Sequence, residues 1–212
     1  MDKNSLLQLV PPDGWQSPQH ARIPPLGLEQ ATLWQRLLMQ TIERVGKLDA
    51  ANLWRLLMRN PRLLRGFLSF APVLMPYGEL PRRDTELVIL RVAWNCRSRY
   101  EWCQHVDIGL RAGLDPEAIL RLTRGPAAHG WSEAERLLLQ AVDELHRDCL
   151  VGDTTWRGLA GHYDERRLLE LLMLAGFYRG LAGVLNSTGL PLDASLQAQP
   201  SQARPLPRQD AS

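Results

Sequence analysis

The sequence predicts an all-α fold, a bundle of helices. Apolar residues recur at the spacing of one helix face, as at Leu33, Leu37 and Val45, and no segment shows the apolar–polar alternation of a strand. Residues that favour helix starts precede several of these segments. With 212 residues, of which 45% are hydrophobic and 23% are charged, the chain is long enough to bury one substantial core.

The two ends of the chain differ in composition from the middle. Because proline disfavours helix, residues 1–27 are predicted to be an extended N-terminal arm that lies on the surface or on a neighbouring subunit. Residues 28–192 are predicted to form the helical domain. Residues 193–212, rich in Gln, Pro, Ser and Ala, are predicted to be a flexible tail. The prolines of the arm are Pro11, Pro12, Pro18, Pro24 and Pro25.

Helix boundaries inside the domain follow from residues with known positional preferences. Ser132 and Glu135 have the spacing of a capping box, and Pro61 suits the first position of a helix. The predicted helices cover residues 28–47, 49–58, 61–74, 81–94, 98–112, 115–122, 132–149, 153–161 and 164–185, with further N-caps at Asp49, Ser98, Asp115, Asp153 and Asp164.

Acid–base side chains gather between Ser98 and His105, with Glu86 on the preceding predicted helix. Glu101 and His105 are four residues apart, so they share one helix face. A carboxylate beside an imidazole can hold its tautomer and raise its pKa toward neutrality. This pattern predicts proton-transfer chemistry.

These residues also carry a resemblance to a known family. Their spacing is similar to that of the carboxymuconolactone decarboxylase family, which includes the alkylhydroperoxidase D-like proteins. The resemblance is clearest from Leu80 to Ile119, and residues 131–193 resemble the second half of longer members. It implies an all-helical, cofactorless alkylhydroperoxidase D-like bundle. The residues that carry it are Glu86, Ser98, Glu101 and His105, with Tyr100-Glu101-Trp102 and Leu110-Arg-Ala-Gly-Leu114.

The two halves of the chain resemble each other weakly. Glu86-Leu-Val-Ile-Leu has a counterpart in Glu170-Leu-Leu-Met-Leu, which suggests a degenerate internal duplication. The family resemblance further implies a homo-oligomer, a trimer or a hexamer, with sites near the subunit interfaces.

The chain departs from the peroxidase branch of the family at its redox pair. That branch has a Cys-x-x-Cys motif before the histidine, and Ser98 and Glu101 occupy those positions here. Cys96 and Cys103 lie nearby in the sequence and are the candidates for a replacement redox pair. Seven residues of continuous helix separate them by roughly 10 Å, more than the ~7 Å limit for a disulfide. They can bridge only if the helix breaks between them, and a break near Ser98 is compatible with its predicted capping role.

Each candidate site residue also has an ordinary structural interpretation. Glu86 in a first helical turn interacts favourably with the helix dipole. Glu101 can be a solvated partner of His105 or Arg97. Ser98 is favoured as a cap over a nucleophile. The predicted site consists of the catalytic residues Glu86, Glu101 and His105, the substrate-binding residues Arg91, Arg99, Trp102 and Tyr100, and the alternative redox residues Cys96 and Cys103.

The first functional hypothesis is a cofactor-independent acid–base lyase or isomerase that acts on a small carboxylated lactone or a related activated acid. His105 would protonate carbon, and Arg91 or Arg99 would hold the substrate carboxylate. Two alternatives remain open. One is an alkylhydroperoxidase or peroxiredoxin-type activity that uses Cys96 and Cys103, and the other is a non-catalytic oligomeric binding protein.

Several other classes are disfavoured by composition. A net charge of +2 gives no basic surface for nucleic acid. Three cysteines and five scattered histidines show no metal-ligand spacing, so no metal is predicted. The N-terminus has no apolar run of signal length, and the most apolar segment, residues 168–178, is short for a membrane span. The expected location is the cytoplasm, without a membrane partner.

Overall fold

The computed structural model describes residues 1–46 and 51–197, with no side chains described for residues 42–46. Within these residues every regular element is a helix, so the all-α prediction is confirmed. The helices are α1 Lys3–Leu7, α2 Leu33–Gly46, α3 Ala51–Leu57, α4 Pro61–Leu74, α5 Arg82–Asn95, α6 Arg99–Arg111, α7 Pro116–Leu122, α8 Glu133–Asp148, α9 Asp153–Ala160 and α10 Glu165–Thr188, followed by a short 3-10 helix, Ala194–Leu196.

Helix α5 lies at the centre of the bundle. It packs against α6, α8 and α10, and all of its residues from Thr85 to Trp94 except Arg91 are buried. One core lies where α5 meets α8 and α10, and a second where it meets α1, α6 and α7. A third core joins α3 and α4 to the C-terminal part of α10. An acidic residue on α5 is therefore held in the middle of the molecule.

Most predicted helix starts are confirmed. Ser132 and Glu135 form the reciprocal capping box of α8, and the Asp115 carboxylate accepts a hydrogen bond from the Ala118 N–H at 2.6 Å. Asp153 is the first residue of α9 rather than its cap. Helix α10 continues past the predicted end to Thr188, where Gly189 takes the left-handed conformation (φ +67°). Asp49 lies outside the described residues.

The N-terminal arm differs from the prediction because it begins with a helix. Helix α1 lies ahead of the first proline, so nothing blocks it, and the Asp2 carboxylate caps it by accepting from the Ser5 N–H at 2.8 Å. Leu6 and Leu7 are buried, where α1 packs on α6 and α7. Residues 8–27 contain no helix, and α2 begins at Leu33 rather than at residue 28.

The start of the predicted tail is packed on the domain. Asp193 and Leu196 are buried, and the Asp193 carboxylate accepts hydrogen bonds from the Asn52 N–H at 2.8 Å and the Tyr100 hydroxyl at 2.5 Å. These bonds fix residues 193–197 against α3 and α6, so this part is not the free tail that its composition suggested. Residues 198–212 lie outside the described residues.

Helices α5 and α10, the two members of the suggested duplication, pack against each other. Their glutamates have different surroundings: Glu86 faces α6, whereas Glu170 accepts hydrogen bonds from the N–H groups of Glu79 and Leu80. The duplication stays a prediction.

Among the described residues, α10 alone is long and apolar enough to cross a membrane by length and composition. Its buried face packs on α5 and α8, as that of a core helix in a bundle does.

Candidate active site

The centre of the candidate site is a contact between α5 and α6. Oε2 of Glu86 lies 2.8 Å from Nδ1 of His105. Glu86 is fully buried, and His105 is 6% exposed. Because Nδ1 faces the carboxylate, Nε2 is the ring nitrogen left for a substrate.

Arg82 stands behind this pair, one turn before Glu86 on α5. Its Nη2 lies 2.7 Å from Oε1 of Glu86, an ion pair in which the N–H is not directed at the oxygen, since Oε1 has no hydrogen-bond donor. Nη1 of Arg82 is also removed from solvent and has no hydrogen-bond partner. Arg82 thus lies beside the same carboxyl group that orients His105.

Glu101 has a different environment from the one its sequence position suggested. It is 2% exposed, and neither carboxylate oxygen has a hydrogen-bond partner. Burial raises the pKa of Glu101 well above its ordinary value. The predicted pairing of Glu101 with His105 or Arg97 is not formed, because the imidazole pairs across to α5 instead. Burial therefore favours the neutral carboxylic acid form of Glu101.

Ser98 occupies the N-cap position of α6, but its side chain makes no capping hydrogen bond. Its hydroxyl is buried without a partner. The preceding residue, Arg97, has a φ of 52°, a left-handed conformation that costs about 1–2 kcal/mol for a non-glycine residue. The turn between α5 and α6, which positions Ser98 and Glu101, is thus locally strained at Arg97.

A cavity of about 850 Å³ opens beside these residues. His105, Glu101 and Arg82 line it, and Tyr178 of α10 places its ring edge-on to the His105 ring with the centroids 5.1 Å apart. Helices α3 and α4 form a second wall of mainly apolar side chains, in which the Trp54 Nε1 is a buried donor without a hydrogen-bond partner among the described residues. These side chains are Leu53, Trp54, Phe67, Leu68, Ala71 and Pro72. The remaining lining residues are Thr41, Met75, Pro76, Tyr100, Gln104, Ile108, Arg111, Ala112, Leu181 and Leu185.

Three of the four predicted substrate-binding residues do not line the cavity. The Arg91 guanidinium is held by Asp143, with its Nε 2.6 Å from Oδ1, and Arg99 is exposed outside the lining. Trp102 is completely buried, and its Nε1 donates to the Leu6 carbonyl at 3.1 Å. These placements correct the prediction, because helix packing directs α5 and α6 side chains into the cores on either side. Tyr100 does line the cavity.

The two cysteines considered as a redox pair are free thiols that do not line the cavity. They pack against different cores, Cys96 near α8 and α10 and Cys103 among α1, α6 and α7. Burial raises the pKa of Cys96 to about 11 and the pKa of Cys103 to about 11. Since the thiolate is the reactive form, this placement disfavours thiol chemistry at both residues.

Two side chains that contact the Glu86–His105 pair, Arg82 and Tyr178, are not among the predicted site residues. Arg82 had an available signal, since it precedes Glu86 by four residues on the same helix. Tyr178 comes from a helix more than seventy residues further along the chain, so no local spacing in the sequence pairs it with His105. Among the described residues, no group of three or more His, Cys, Asp or Glu side chains has a metal-binding arrangement.

Comparison with known proteins gives the same family as the sequence motifs. Residues 61–144, from α4 into α8, match the carboxymuconolactone decarboxylase family. This range contains Arg82, Glu86, Ser98, Glu101 and His105. The resemblance predicted from these residues is therefore confirmed. A search of curated proteins found no match.

Solved structures share the fold at low sequence identity. An uncharacterized peroxidase-related protein from Silicibacter sp. TM1040 has a TM-score of 0.71 and 16% identity, over 86% of this chain and 98% of that one. An alkylhydroperoxidase AhpD core protein from Ralstonia eutropha JMP134 has a TM-score of 0.68 and 15% identity, over 82% and 93%. The debrominase Bmp8 in complex with 2,3,4-tribromopyrrole has a TM-score of 0.65 and 16% identity, over 85% and 96%.

Proposed function

Because residues 61–144 match the carboxymuconolactone decarboxylase family, we propose that this protein is a cofactor-independent acid–base enzyme, a lyase or isomerase that acts on a small carboxylated lactone or a related activated acid. The observation that carries the proposal is the 2.8 Å contact between Glu86 and His105 at the wall of a cavity. A pair held this way presents one imidazole nitrogen to a bound substrate.

In the decarboxylation, the bond between carbon and the substrate carboxylate breaks and CO2 leaves. The electron pair passes into the conjugated carbonyl and forms a dienolate. Protonated His105 then donates its proton to carbon, and solvent restores that proton. Glu86 holds the ring and stabilises the imidazolium form.

Two further side chains suit the charge that develops. Glu101, whose pKa is raised by burial, can in its carboxylic acid form donate a hydrogen bond to the carbonyl oxygen as the oxygen becomes negative. Arg82 takes the role that the sequence suggested for Arg91 or Arg99, since it lines the cavity and its Nη1 has no hydrogen-bond partner.

The test is decarboxylation of 4-carboxymuconolactone by the purified protein, followed as loss of its ultraviolet absorbance. His105→Ala is expected to lower kcat by about 10²- to 10⁴-fold, and Glu86→Gln by about 10²-fold. Glu170→Gln is the matched control, because Glu170 is the α10 counterpart of Glu86 and binds only the backbone before α5; its kcat should stay at the wild-type value. Unchanged turnover in His105→Ala would refute the assignment.

Peroxidase activity is the second candidate, and it is favoured by the fold shared with peroxidase-related proteins. It requires Cys96 and Cys103 to cycle between thiol and disulfide. Titration of free thiols after peroxide treatment tests it. Loss of two thiols per chain would support the cycle, whereas retention of all three would exclude an intramolecular disulfide.

A binding protein without catalysis is the third candidate. The short distance between Glu86 and His105 favours an enzyme over this alternative. Substrate turnover that depends on His105 would rule it out.

A further inference from the structure

The candidate site contains polar atoms that the protein itself leaves without partners. Among the described residues, Nη1 of Arg82 and both carboxyl oxygens of Glu101 are removed from solvent and have no hydrogen-bond partner. Both residues line the same cavity. Buried polar groups in folded proteins are nearly always hydrogen-bonded, so two such groups at one cavity point to partners supplied from outside the chain.

The chemistry of Arg82 and Glu101 indicates which ligand atoms would satisfy their unpaired polar atoms. Arg82 Nη1 is a charged donor and needs an acceptor, for which a carboxylate or other anionic oxygen is the strongest partner. Glu101 has an acid proton to donate to a second ligand oxygen. The polar end of a ligand that satisfies both therefore carries at least two oxygens.

The rest of the cavity is suited to an apolar body. Trp54 and Phe67 pack edge to face with ring centroids 5.8 Å apart on the second wall, next to Leu68. The volume of about 850 Å³ lies toward the upper end of the roughly 300–1,000 Å³ typical of ligand sites. The cavity volume is larger than a compact molecule would fill, and the apolar wall does not suit a highly charged one.

Charge limits the ligand to one anionic group. Among the described lining residues the arginines are Arg82 and Arg111, and the imidazole of His105 is already paired with Glu86. Arg111 is 55% exposed and already pairs with Asp107 at 2.8 Å. A second anionic group would therefore lie against the apolar wall without a counter-ion, which is unfavourable.

We propose that the cavity binds an amphipathic monocarboxylic acid, whose anionic oxygen accepts from Arg82, whose second oxygen contacts Glu101, and whose ring-sized or larger apolar body packs on Trp54, Phe67 and Leu68. The inference rests on the proposed acid–base function and narrows its substrate to the related activated acids. An aryl or alicyclic acid fits this description, whereas a compact dicarboxylic lactone does not.

The test measures binding directly by titration calorimetry on the full-length protein. The probes are 2-naphthoate, its neutral isostere 2-naphthamide, and cis,cis-muconate as a compact dicarboxylate. Naphthoate is expected to bind at least about 10-fold more tightly than either of the others. Equal or tighter binding of the amide or of muconate by the wild-type protein would overturn the proposal without need of any variant.

Matched arginine variants locate the anion. Arg82→Gln should weaken naphthoate binding by about 10- to 100-fold, the usual range for a lost hydrogen bond to a charged group. Arg111→Gln, at the same cavity but already paired with Asp107, should change affinity by less than about 2-fold. Equal effects of the two variants would contradict the assignment. If Arg82→Gln does not fold, Glu101→Ala takes its place and should weaken naphthoate binding as well.

This inference and the proposed function fail separately. Naphthoate binding and lactone turnover are separate measurements on the wild-type protein, so either one can succeed without the other. If the wild-type protein decarboxylates 4-carboxymuconolactone but does not bind naphthoate, the proposed function stands and this inference falls. If naphthoate binds and the lactone is not turned over, this inference stands, and the reaction is sought among aryl and alicyclic acids.

Discussion

Glu86 and Glu101 are two buried carboxyl groups of one site whose surroundings are opposite. Glu86 has Arg82 at 2.7 Å and His105 at 2.8 Å, both of which favour a negative charge. Glu101 has no hydrogen-bond partner for either oxygen, and burial disfavours its charge. The two carboxyl groups therefore have different roles: Glu86 orients His105, and Glu101, whose pKa is raised by burial, is placed to act as an acid.

The titration of Glu101 should be visible in the stability of the protein. The unfolded chain releases this proton near the ordinary pKa of 4.5, and the folded chain releases it at a higher pH. The native state therefore binds the proton more tightly, and the stability that Glu101 contributes is full below about pH 4.5 and is lost as pH rises through the raised pKa.

The substitution Glu101→Gln should remove the loss of stability that accompanies ionisation of Glu101 at higher pH. Above the raised pKa the variant should be more stable than the wild type by roughly 1–3 kcal/mol, and the difference should shrink toward zero at about pH 4. Urea unfolding of both proteins across this range provides the measurement. A difference that does not depend on pH would contradict a neutral Glu101.

At the scale of elements, the cavity depends on how α3 is held over α6. Asp193 makes this connection: its carboxylate accepts from the Asn52 N–H in the first turn of α3 and from Tyr100 and Gln104 of α6. A carboxylate at a helix N-terminus also interacts favourably with the helix dipole. The segment after α10 thus positions the apolar wall of the cavity.

Asp193→Ala should release α3 while leaving the central bundle intact. We expect faster hydrogen exchange at the amides of Asn52 and Leu53, with a loss of about 1–3 kcal/mol in local stability because the partners are left unsatisfied. Gln104→Ala is the matched control, since it removes one hydrogen bond to Asp193 and keeps both the carboxylate and the Tyr100 hydroxyl that accepts from the Leu53 N–H. Unchanged exchange in Asp193→Ala would show that α3 is held by apolar packing alone.

At the scale of the whole molecule, several large apolar side chains face away from the bundle. On α2, Leu33 is 75% exposed and Trp34 57%, and on α10 Leu169 and Met173 are exposed as well. Neighbouring exposed apolar side chains are typical of association surfaces. This exposure agrees with the predicted homo-oligomer, which remains a prediction.

Sedimentation velocity should therefore give a mass about three or six times that of the 24.0 kDa chain. The physical reason is that closed symmetric assembly would remove the apolar surface from water. A species at the monomer mass over a wide concentration range would contradict the prediction.

The sequence by itself determined the helices and the residues that pair within one stretch of chain. Caps such as Ser132 with Glu135, and Asp115, act over three residues, so their effect is visible in local order. The family resemblance was sufficient to name Glu86 and His105 as candidate site residues, and the match over residues 61–144 agrees with that family.

The tertiary structure decided which groups meet. Arg82 rather than Arg91 lines the cavity, Asp193 belongs to the domain, and His105 pairs with Glu86 instead of its own helix neighbour Glu101. Each of these outcomes depends on which face of one helix packs against another. Local sequence does not specify that choice, because it is made by the burial of apolar surface summed over the whole bundle.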